Sequence, residues 1–135
     1  MSTTDYIVYG TPMIAHQEGE RYIHEMDGYE SEEIKVFDTL DEAIAYAEGV
    51  EIDKPSVCHT KLGLDSVVYY DIDVYSSEYD EEHDDWLPFE AVYHRSGMTD
   101  KWRDAMRAYE VSYWKWLDYE SSDRLTLEEC LERGN

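Results

Sequence analysis

Cysteines and long apolar runs are scarce in this sequence. Cys58 and Cys130 are its only cysteines, and its first residues lack the basic and apolar segments of a secretion signal. We therefore expect no disulfide framework and a reducing, cytoplasmic location. No apolar run approaches the roughly 20 residues of a membrane span, so no membrane partner is expected.

Catalytic and metal-binding motifs are also missing. The sequence contains no G-x-S-x-G, no Walker loop and no H-E-x-x-H, and its five histidines lack ligand spacing. Asp71 and Asp73 could ligate a divalent ion through oxygen, but the residues after them supply neither the third ligand nor the glycine of an EF-hand loop. We predict no catalytic residues, no metal, no cofactor and no enzymatic activity.

Basic residues are few compared with acidic ones. The chain has 11 Lys and Arg against 33 Asp and Glu, which gives a net charge of −22. A charge of magnitude about 2 to 8 is enough to keep a small domain soluble. An acidic surface repels nucleic acid and anionic lipid, so we expect no direct nucleic-acid binding and a partner that is a basic protein.

The acidic residues concentrate between Lys61 and Arg95, a stretch without any basic side chain. Like charges about 4 Å apart repel by roughly 1 kcal/mol in water, so a run of this kind indicates that its field is used. Carboxylates two residues apart on a strand stand about 6.5 Å apart, a step similar to that between phosphates of a nucleic-acid strand. The candidate partner-binding residues are Asp71, Asp73, Glu78, Asp80, Glu81, Glu82, Asp84 and Asp85. A second row is predicted at Glu18, Glu20, Glu25, Asp27, Glu30, Glu32 and Glu33.

The remaining composition favours one folded domain over residues 1–135. Hydrophobic residues make up 42% and aromatic residues 14% of the chain, too much for a disordered acidic tail. The pattern predicts an α+β fold with an antiparallel sheet of about five or six strands. The predicted strands are Tyr6–Tyr9, which Met13–His16 could continue, then Arg21–His24, Glu33–Phe37, Ser56–His59, Asp65–Tyr75 and Phe89–His94.

The strand Asp65–Tyr75 has the strongest alternating pattern. It places Val68, Tyr70, Ile72 and Val74 on a core face and Tyr69, Asp71, Asp73 and Tyr75 on a solvent face. Residues Ser76 to Asp85 are predicted to form an acidic loop or edge. The loop would extend the row of carboxylates that Asp71 and Asp73 begin.

Three helices are predicted. A capping box at Thr39 and Glu42 starts a short helix over Leu40–Glu48 with Gly49 as its stop, and another at Thr126 and Glu129 starts a terminal helix. Thr99 caps a long helix over Asp100–Tyr119, whose core stripe is Trp102, Met106, Tyr109, Tyr113 and Trp116. Trp114, Leu117 and Tyr119 lie beside that stripe, which predicts a second buried surface such as a homodimer interface.

The size, the acidity and the strand followed by a capped helix around Val36 to Glu48 together resemble a class of proteins. The chain is similar to the small acidic nucleic-acid mimics with which phages and mobile elements inhibit restriction and CRISPR defence. The resemblance implies a non-catalytic inhibitor that binds the nucleic-acid groove of a defence nuclease or surveillance complex, with carboxylates in place of phosphates.

Two other interpretations fit the same composition. A regulatory or interaction module could dock a basic partner through its acids and its surplus aromatic residues. Adaptation to a high-salt cytoplasm would also favour an acidic surface with few lysines, and the chain has five. A halophilic protein should unfold at low ionic strength, whereas a mimic should stay folded there and bind its target more tightly.

Overall fold

A computed structural model shows an α+β fold with a mostly antiparallel seven-stranded sheet and three helices. It describes residues 3–19, 21–28, 31–61, 63–87, 89–119 and 125–133. The strands are β1 (Thr3–Glu18), β2 (Arg21–Met26), β3 (Glu32–Phe37), β4 (Ser56–Cys58), β5 (Ser66–Asp80), β6 (Asp85–Trp86) and β7 (Glu90–Ser96). The helices are α1 (Leu40–Gly49), α2 (Asp100–Tyr119) and α3 (Leu127–Arg133).

The sheet is built on two long strands. Its order is β2-β1-β5-β4, while β3 also pairs with β1, and β6 and β7 also pair with β5. The seven strands exceed the five or six predicted because β6 was not anticipated. The first predicted strand ends at Tyr9, before the turn-forming residues Gly10 to Pro12, but β1 runs through these residues. Pairing along its length keeps this segment extended despite its turn-forming residues.

The chain divides into two compact units. Unit 1 comprises Met1–Pro12, Met26–Asp53 and Tyr70–Gly97, and unit 2 comprises Met13–Glu25, Lys54–Tyr69 and Met98–Asn135. The strands β1 and β5 each contribute residues to both units. That residues 1–135 form a single domain stays a prediction.

Unit 1 has a small core in which α1 packs on strand residues. Val8, Ile72 and Val74 are fully buried together with Ala43 and Ala47 of α1. Burial of a Val or Ile side chain stabilises a fold by roughly 1.5 to 3 kcal/mol. The two alanines let the helix approach the sheet closely, so α1 is held by apolar contact.

The predicted start of α1 is confirmed. Thr39 is extended and its hydroxyl accepts a hydrogen bond from the backbone N–H of Glu42 at 3.3 Å. The helix ends at Gly49, and Val50 follows in an extended conformation. The sequence signals for a helix over this segment are local, which is why they suffice here.

Unit 2 has the larger core, in which α2 and α3 pack with residues of the sheet. Met106, Tyr109 and Tyr113 of the predicted stripe are buried, but Trp116 is one-third exposed. Of the residues beside the stripe, Trp114 packs partly against the core and Leu117 is exposed, while the side chain of Tyr119 lies outside the described part. Among the described residues, none of the helices is both long and apolar enough to cross a membrane.

The last helix begins with a complete capping box, as predicted. The Thr126 hydroxyl accepts from the backbone N–H of Glu129 at 3.2 Å, and the Glu129 carboxylate accepts from the backbone N–H of Thr126 at 3.2 Å. Leu127 and Cys130 are buried in the core of unit 2. The box therefore fixes where α3 starts, and two apolar residues fix the face that it buries.

The prediction of one core face and one solvent face for β5 is wrong in part. Ile72 and Val74 are buried as expected, yet Tyr69 and Asp71 of the predicted solvent face are only 9% and 8% exposed. Tyr69 belongs to the core of unit 2 and Ile72 to that of unit 1. A strand that serves two cores buries different faces along its length, which a single alternating pattern does not reveal.

Candidate acidic interface

The negative charge is concentrated in unit 1. This unit contains 20 of the 33 acidic residues and 2 of the 11 basic ones, a formal charge of −18. Unit 2 contains the other 13 acidic and 9 basic residues, a formal charge of −4. The segments that form unit 1 are far apart in the sequence, so only folding assembles this acidic body.

Both basic residues of unit 1 are engaged within it. The Arg95 guanidinium donates to the backbone carbonyls of Ala47, Glu48 and Val50 at 2.8, 3.1 and 2.8 Å. It thereby satisfies carbonyls at the C-terminus of α1, where the helix dipole favours a cation. Lys35 lies over the rings of Phe37 and Tyr46, and its ammonium nitrogen is 5.2 and 5.3 Å from their centroids.

The acidic run forms a hairpin turn between β5 and β6. Of the predicted acidic loop or edge over Ser76 to Asp85, the part up to Asp80 is strand β5 and not a loop. Asp80 pairs with Asp85 across the two strands. Pairing of Tyr79 with Trp86 next to it brings the two rings to a centroid distance of 5.3 Å, which helps to hold the hairpin closed.

Asp80 organises the turn instead of facing outwards. Its carboxylate accepts from the backbone N–H of Glu82 at 3.0 Å and lies 2.7 Å from Nδ1 of His83. Asp84 adopts a positive φ of 48°, a conformation that Asp tolerates better than most residues. The contacts of Asp80 and the left-handed conformation of Asp84 together shape the backbone of the turn.

The exposed carboxylates of the hairpin are those of the turn itself. Glu81, Glu82, Asp84 and Asp85 are exposed, whereas Glu78 is half-buried on β5. Asp85 also accepts from the backbone N–H of Trp86 at 2.8 Å. We call Glu81, Glu82 and Asp84 the acidic turn, because their side chains are exposed and close together in sequence.

Asp71 and Asp73 form a polar pair with β7 and are poorly exposed. The Ser96 hydroxyl donates to Asp71 at 2.6 Å, and Nδ1 of His94 lies 2.6 Å from Asp73. The other ring nitrogen of His94 is 4.0 Å from Asp71. Their predicted position on an open solvent face is therefore wrong for Asp71. Asp73 retains 17% of its side-chain exposure.

Exposed apolar residues beside the acidic turn were not anticipated. Trp86, Leu87 and Phe89 are 47%, 42% and 52% exposed. The sequence contains a signal for them, because these apolar residues come directly after the acidic run. Large side chains next to so much charge on a short hairpin are hard to bury. Exposed aromatic side chains next to charge are typical of protein interfaces.

Three rings, those of Tyr9, Tyr75 and Phe89, form what we call the aromatic cluster. Their centroids are 5.6 Å apart for Tyr9 and Tyr75, 6.3 Å for Tyr9 and Phe89, and 6.4 Å for Tyr75 and Phe89. Partial burial, followed by the charges of Glu33 and Tyr75, raises the pKa of Tyr9. A carboxylate therefore lies within electrostatic range of the rings.

One group of side chains has the chemistry of a metal site. Ligand atoms of Asp80, Glu82 and His83 lie within 4.8 Å of one another, a geometry identified among the described residues. Asp80 and His83 already contact each other, so an ion would have to replace that contact. The contacts of Asp80 with His83 and with the backbone N–H of Glu82 hold the turn together.

A second polar cluster, in unit 2, places a histidine between two carboxylates. Nδ1 of His59 is 3.1 Å from Asp65 and its Nε2 is 2.9 Å from Glu128. Asp65 also accepts from the backbone N–H of Thr60 at 3.0 Å. Because each ring nitrogen has a carboxylate partner, this histidine is better suited to joining α3 to the sheet than to proton transfer.

The predicted second row of acids is divided between the units. Glu18 and Glu25 belong to unit 2, while Asp27, Glu32 and Glu33 belong to unit 1 and are exposed. Glu20 and Glu30 lie outside the described residues.

Comparison of the chain with protein-family models, with curated proteins and with solved structures found no match.

Proposed function

We propose that this chain is a non-catalytic inhibitor that occupies the basic nucleic-acid groove of a defence nuclease or surveillance complex. Its acidic turn and the surrounding acids of unit 1 stand in for phosphates. Such an inhibitor acts in the cytoplasm, that of the host cell if a phage encodes it. The proposal places the chain with the small acidic mimics of phages and mobile elements.

The observation that carries the proposal is the uneven charge. A formal charge of −18 lies on unit 1, whose two cations are both used internally. The net field of unit 1 can therefore attract an external basic partner. A groove lined by Lys and Arg is attracted to such a body over several ångströms, and the attraction weakens as salt is added.

The same asymmetry weighs against adaptation to high salt. A halophilic surface gains from acids wherever it meets solvent, so both units should be strongly acidic. Here unit 2 carries only −4. A local function for the charge accounts for this distribution better than a general response to the solvent.

The second candidate is a regulatory module that docks a basic protein without imitating nucleic acid. The exposed Trp86, Leu87 and Phe89 favour it, because apolar side chains have no counterpart on a phosphate backbone. The two candidates differ in whether nucleic acid and the chain compete for the same groove.

A homodimer through α2, where Val111 and Leu117 are exposed, stays a prediction that sedimentation analysis can check.

The test is inhibition of DNA cleavage by a panel of restriction nucleases and RNA-guided nucleases. We expect at least one enzyme to be inhibited, competitively with DNA and less strongly as salt rises. The triple variant Glu81→Gln, Glu82→Gln, Asp84→Asn should weaken inhibition by about tenfold, because each lost ion pair contributes up to roughly 1 kcal/mol.

A matched control removes the same charge from unit 2. The triple variant Glu18→Gln, Asp104→Asn, Glu132→Gln alters three exposed acids there and should leave inhibition within about twofold of the unmodified chain. Equal losses from both triples would show that only net charge matters. Inhibition that does not compete with DNA would favour the regulatory module instead.

A further inference from the structure

The aromatic cluster of Tyr9, Tyr75 and Phe89 belongs to the acidic unit 1. Phe89 is 52% exposed, and the three centroids lie within 6.4 Å of one another. We propose that this cluster is a docking site for arginine side chains of the basic partner, an inference that rests on the proposed function and specifies its partner. The site would make the inhibitor prefer arginine-lined grooves to lysine-lined ones.

A cation is the complementary occupant of these rings. The faces of aromatic rings carry partial negative charge and attract cations, more strongly where carboxylates add to the field. Unit 1 itself holds a cation in this way, since Lys35 lies 5.2 Å from the centroid of Phe37. Lys35 and Arg95 are the only Lys and Arg of unit 1 and both are engaged elsewhere, while His83 and His94 lie against Asp80 and Asp73, so we assign the cation for the aromatic cluster to a partner.

Carboxylates beside the rings favour arginine over lysine. Glu33 pairs with Tyr9 across β1 and β3, and its charge contributes to the raised pKa of that tyrosine. Asp73 is not assigned to the rings, because a β-bulge between Val74 and Tyr75 interrupts the alternation and its carboxylate lies 2.6 Å from Nδ1 of His94. A planar guanidinium can stack on a ring while its edge donates to a neighbouring carboxylate, whereas an ammonium is a compact point charge.

Other occupants fit this surface less well. Nucleic-acid bases stack on aromatic rings, but their phosphates would be repelled by a unit of charge −18. Anionic lipid is disfavoured for the same reason. A second copy of the chain could present arginines of its own, such as Arg103 and Arg107 of α2, and self-association is therefore measured in the test.

The experiment compares two labelled peptides, deca-arginine and deca-lysine, by fluorescence anisotropy at 150 mM salt. We expect the unmodified chain to bind deca-arginine about fivefold more tightly than deca-lysine. Phe89→Leu should reduce that ratio to about one. Phe89→Tyr keeps a ring at this position and should preserve the ratio. It thereby shows whether the reduced ratio of Phe89→Leu comes from loss of the ring or from disturbance of the fold.

The controls separate the ring contribution from charge. The triple variant Glu81→Gln, Glu82→Gln, Asp84→Asn should weaken both peptides alike and leave the ratio unchanged. A ratio near one for the unmodified chain, or a ratio that Phe89→Leu does not alter, overturns the inference. A dimer in sedimentation analysis that Phe89→Leu dissociates also overturns it, since a second copy would then be the occupant.

The outcome is distinguishable from that of the proposed function. If the arginine preference is present but no nuclease of the panel is inhibited, the aromatic cluster binds arginine and the inhibitor proposal fails. If a nuclease is inhibited competitively while the two peptides bind equally, the mimic proposal stands and the arginine site is rejected.

Discussion

At the scale of single residues, Arg95 shows how unit 1 can be so acidic and still fold. Its guanidinium bonds the carbonyls of Ala47, Glu48 and Val50, at the end of a helix that has no basic residue in its last turn. Hydrogen bonds from a charged donor are each stronger than neutral ones, and here they meet the negative end of the helix dipole.

We predict that Arg95→Met destabilises the fold by about 2 kcal/mol, because the carbonyls at the end of α1 lose their donor. Arg103→Met is the matched control, since Arg103 is exposed and its guanidinium lies 3.3 Å from the exposed Asp100. It should cost less than about 0.5 kcal/mol. Urea denaturation measures both, and equal midpoints for the two variants would refute the assigned role of Arg95.

A second residue-scale prediction concerns pH. The hydrogen bond to Asp65, then the charges of Asp65 and Glu128, raise the pKa of His59. A raised pKa in the folded state means that the stabilisation is complete below the unfolded value of about 6.5 and is lost as pH rises through the folded value. The melting temperature of the unmodified chain should therefore exceed that of His59→Gln by more at pH 6 than at pH 8.5.

Lys61→Gln is the control for this pH experiment. It removes the positive charge of an exposed lysine two residues along the chain from His59. Its effect on the melting temperature should be the same at both pH values. His16 also has a raised pKa, through its bond to Glu25, but both variants retain it. A His59→Gln effect that does not change with pH would contradict the prediction.

At the scale of elements, β1 depends on a glycine where it passes beside β5. The ring of Tyr70 lies against Gly10, so that a Cβ at this position would overlap the ring. Gly10 therefore serves a close approach between side chain and backbone and does not form the turn that the sequence indicates.

We predict that Gly10→Ala destabilises the fold by about 1 to 3 kcal/mol, because the Tyr70 ring must move out of its place. Gly49→Ala is the control, since no atom lies within 4 Å of a Cβ built at that helix end. It should be neutral or stabilising by up to about 1 kcal/mol. Thermal unfolding of the two variants measures the difference, and a destabilised Gly49→Ala with an unaffected Gly10→Ala would reverse the assignment.

Some elements were predictable and others were not. The capping boxes at Thr39 and Thr126 and the bounds of α2 follow from residues within one or two helical turns. The end of β5 did not, because Glu78 and Asp80 have low strand propensity and are held extended by pairing with β6. Pairing across a hairpin can override the preference of the individual residues.

At the scale of the whole molecule, the charge of unit 1 sets how stability depends on salt. Repulsion among acids is long-ranged at 10 mM salt, where the Debye length is about 30 Å, and is largely screened at 150 mM, where it is about 8 Å. The chain should stay folded at 10 mM salt and gain stability as salt rises. A halophilic protein would instead unfold at the lower concentration.

We predict that the triple variant Glu81→Gln, Glu82→Gln, Asp84→Asn raises the melting temperature at 10 mM salt by about 4 °C, or roughly 1 kcal/mol, by relieving repulsion. The unit 2 triple Glu18→Gln, Asp104→Asn, Glu132→Gln should raise it by less, because that unit carries −4. Calorimetry at 10 and 150 mM salt measures both. Equal gains from the two triples would show that the acids of unit 1 do not repel one another more than those of unit 2.

The sequence by itself determined the overall acidity, the α+β class and the starts of the helices. Net charge is a sum over residues, and caps and helical periodicity act between residues close in the chain. Only the tertiary structure decided that Asp71 is buried against Ser96, that Arg95 is used by α1, and that the acids gather in unit 1. These features depend on residues 20 or more positions apart in the chain, and local patterns carry no information about which of them meet.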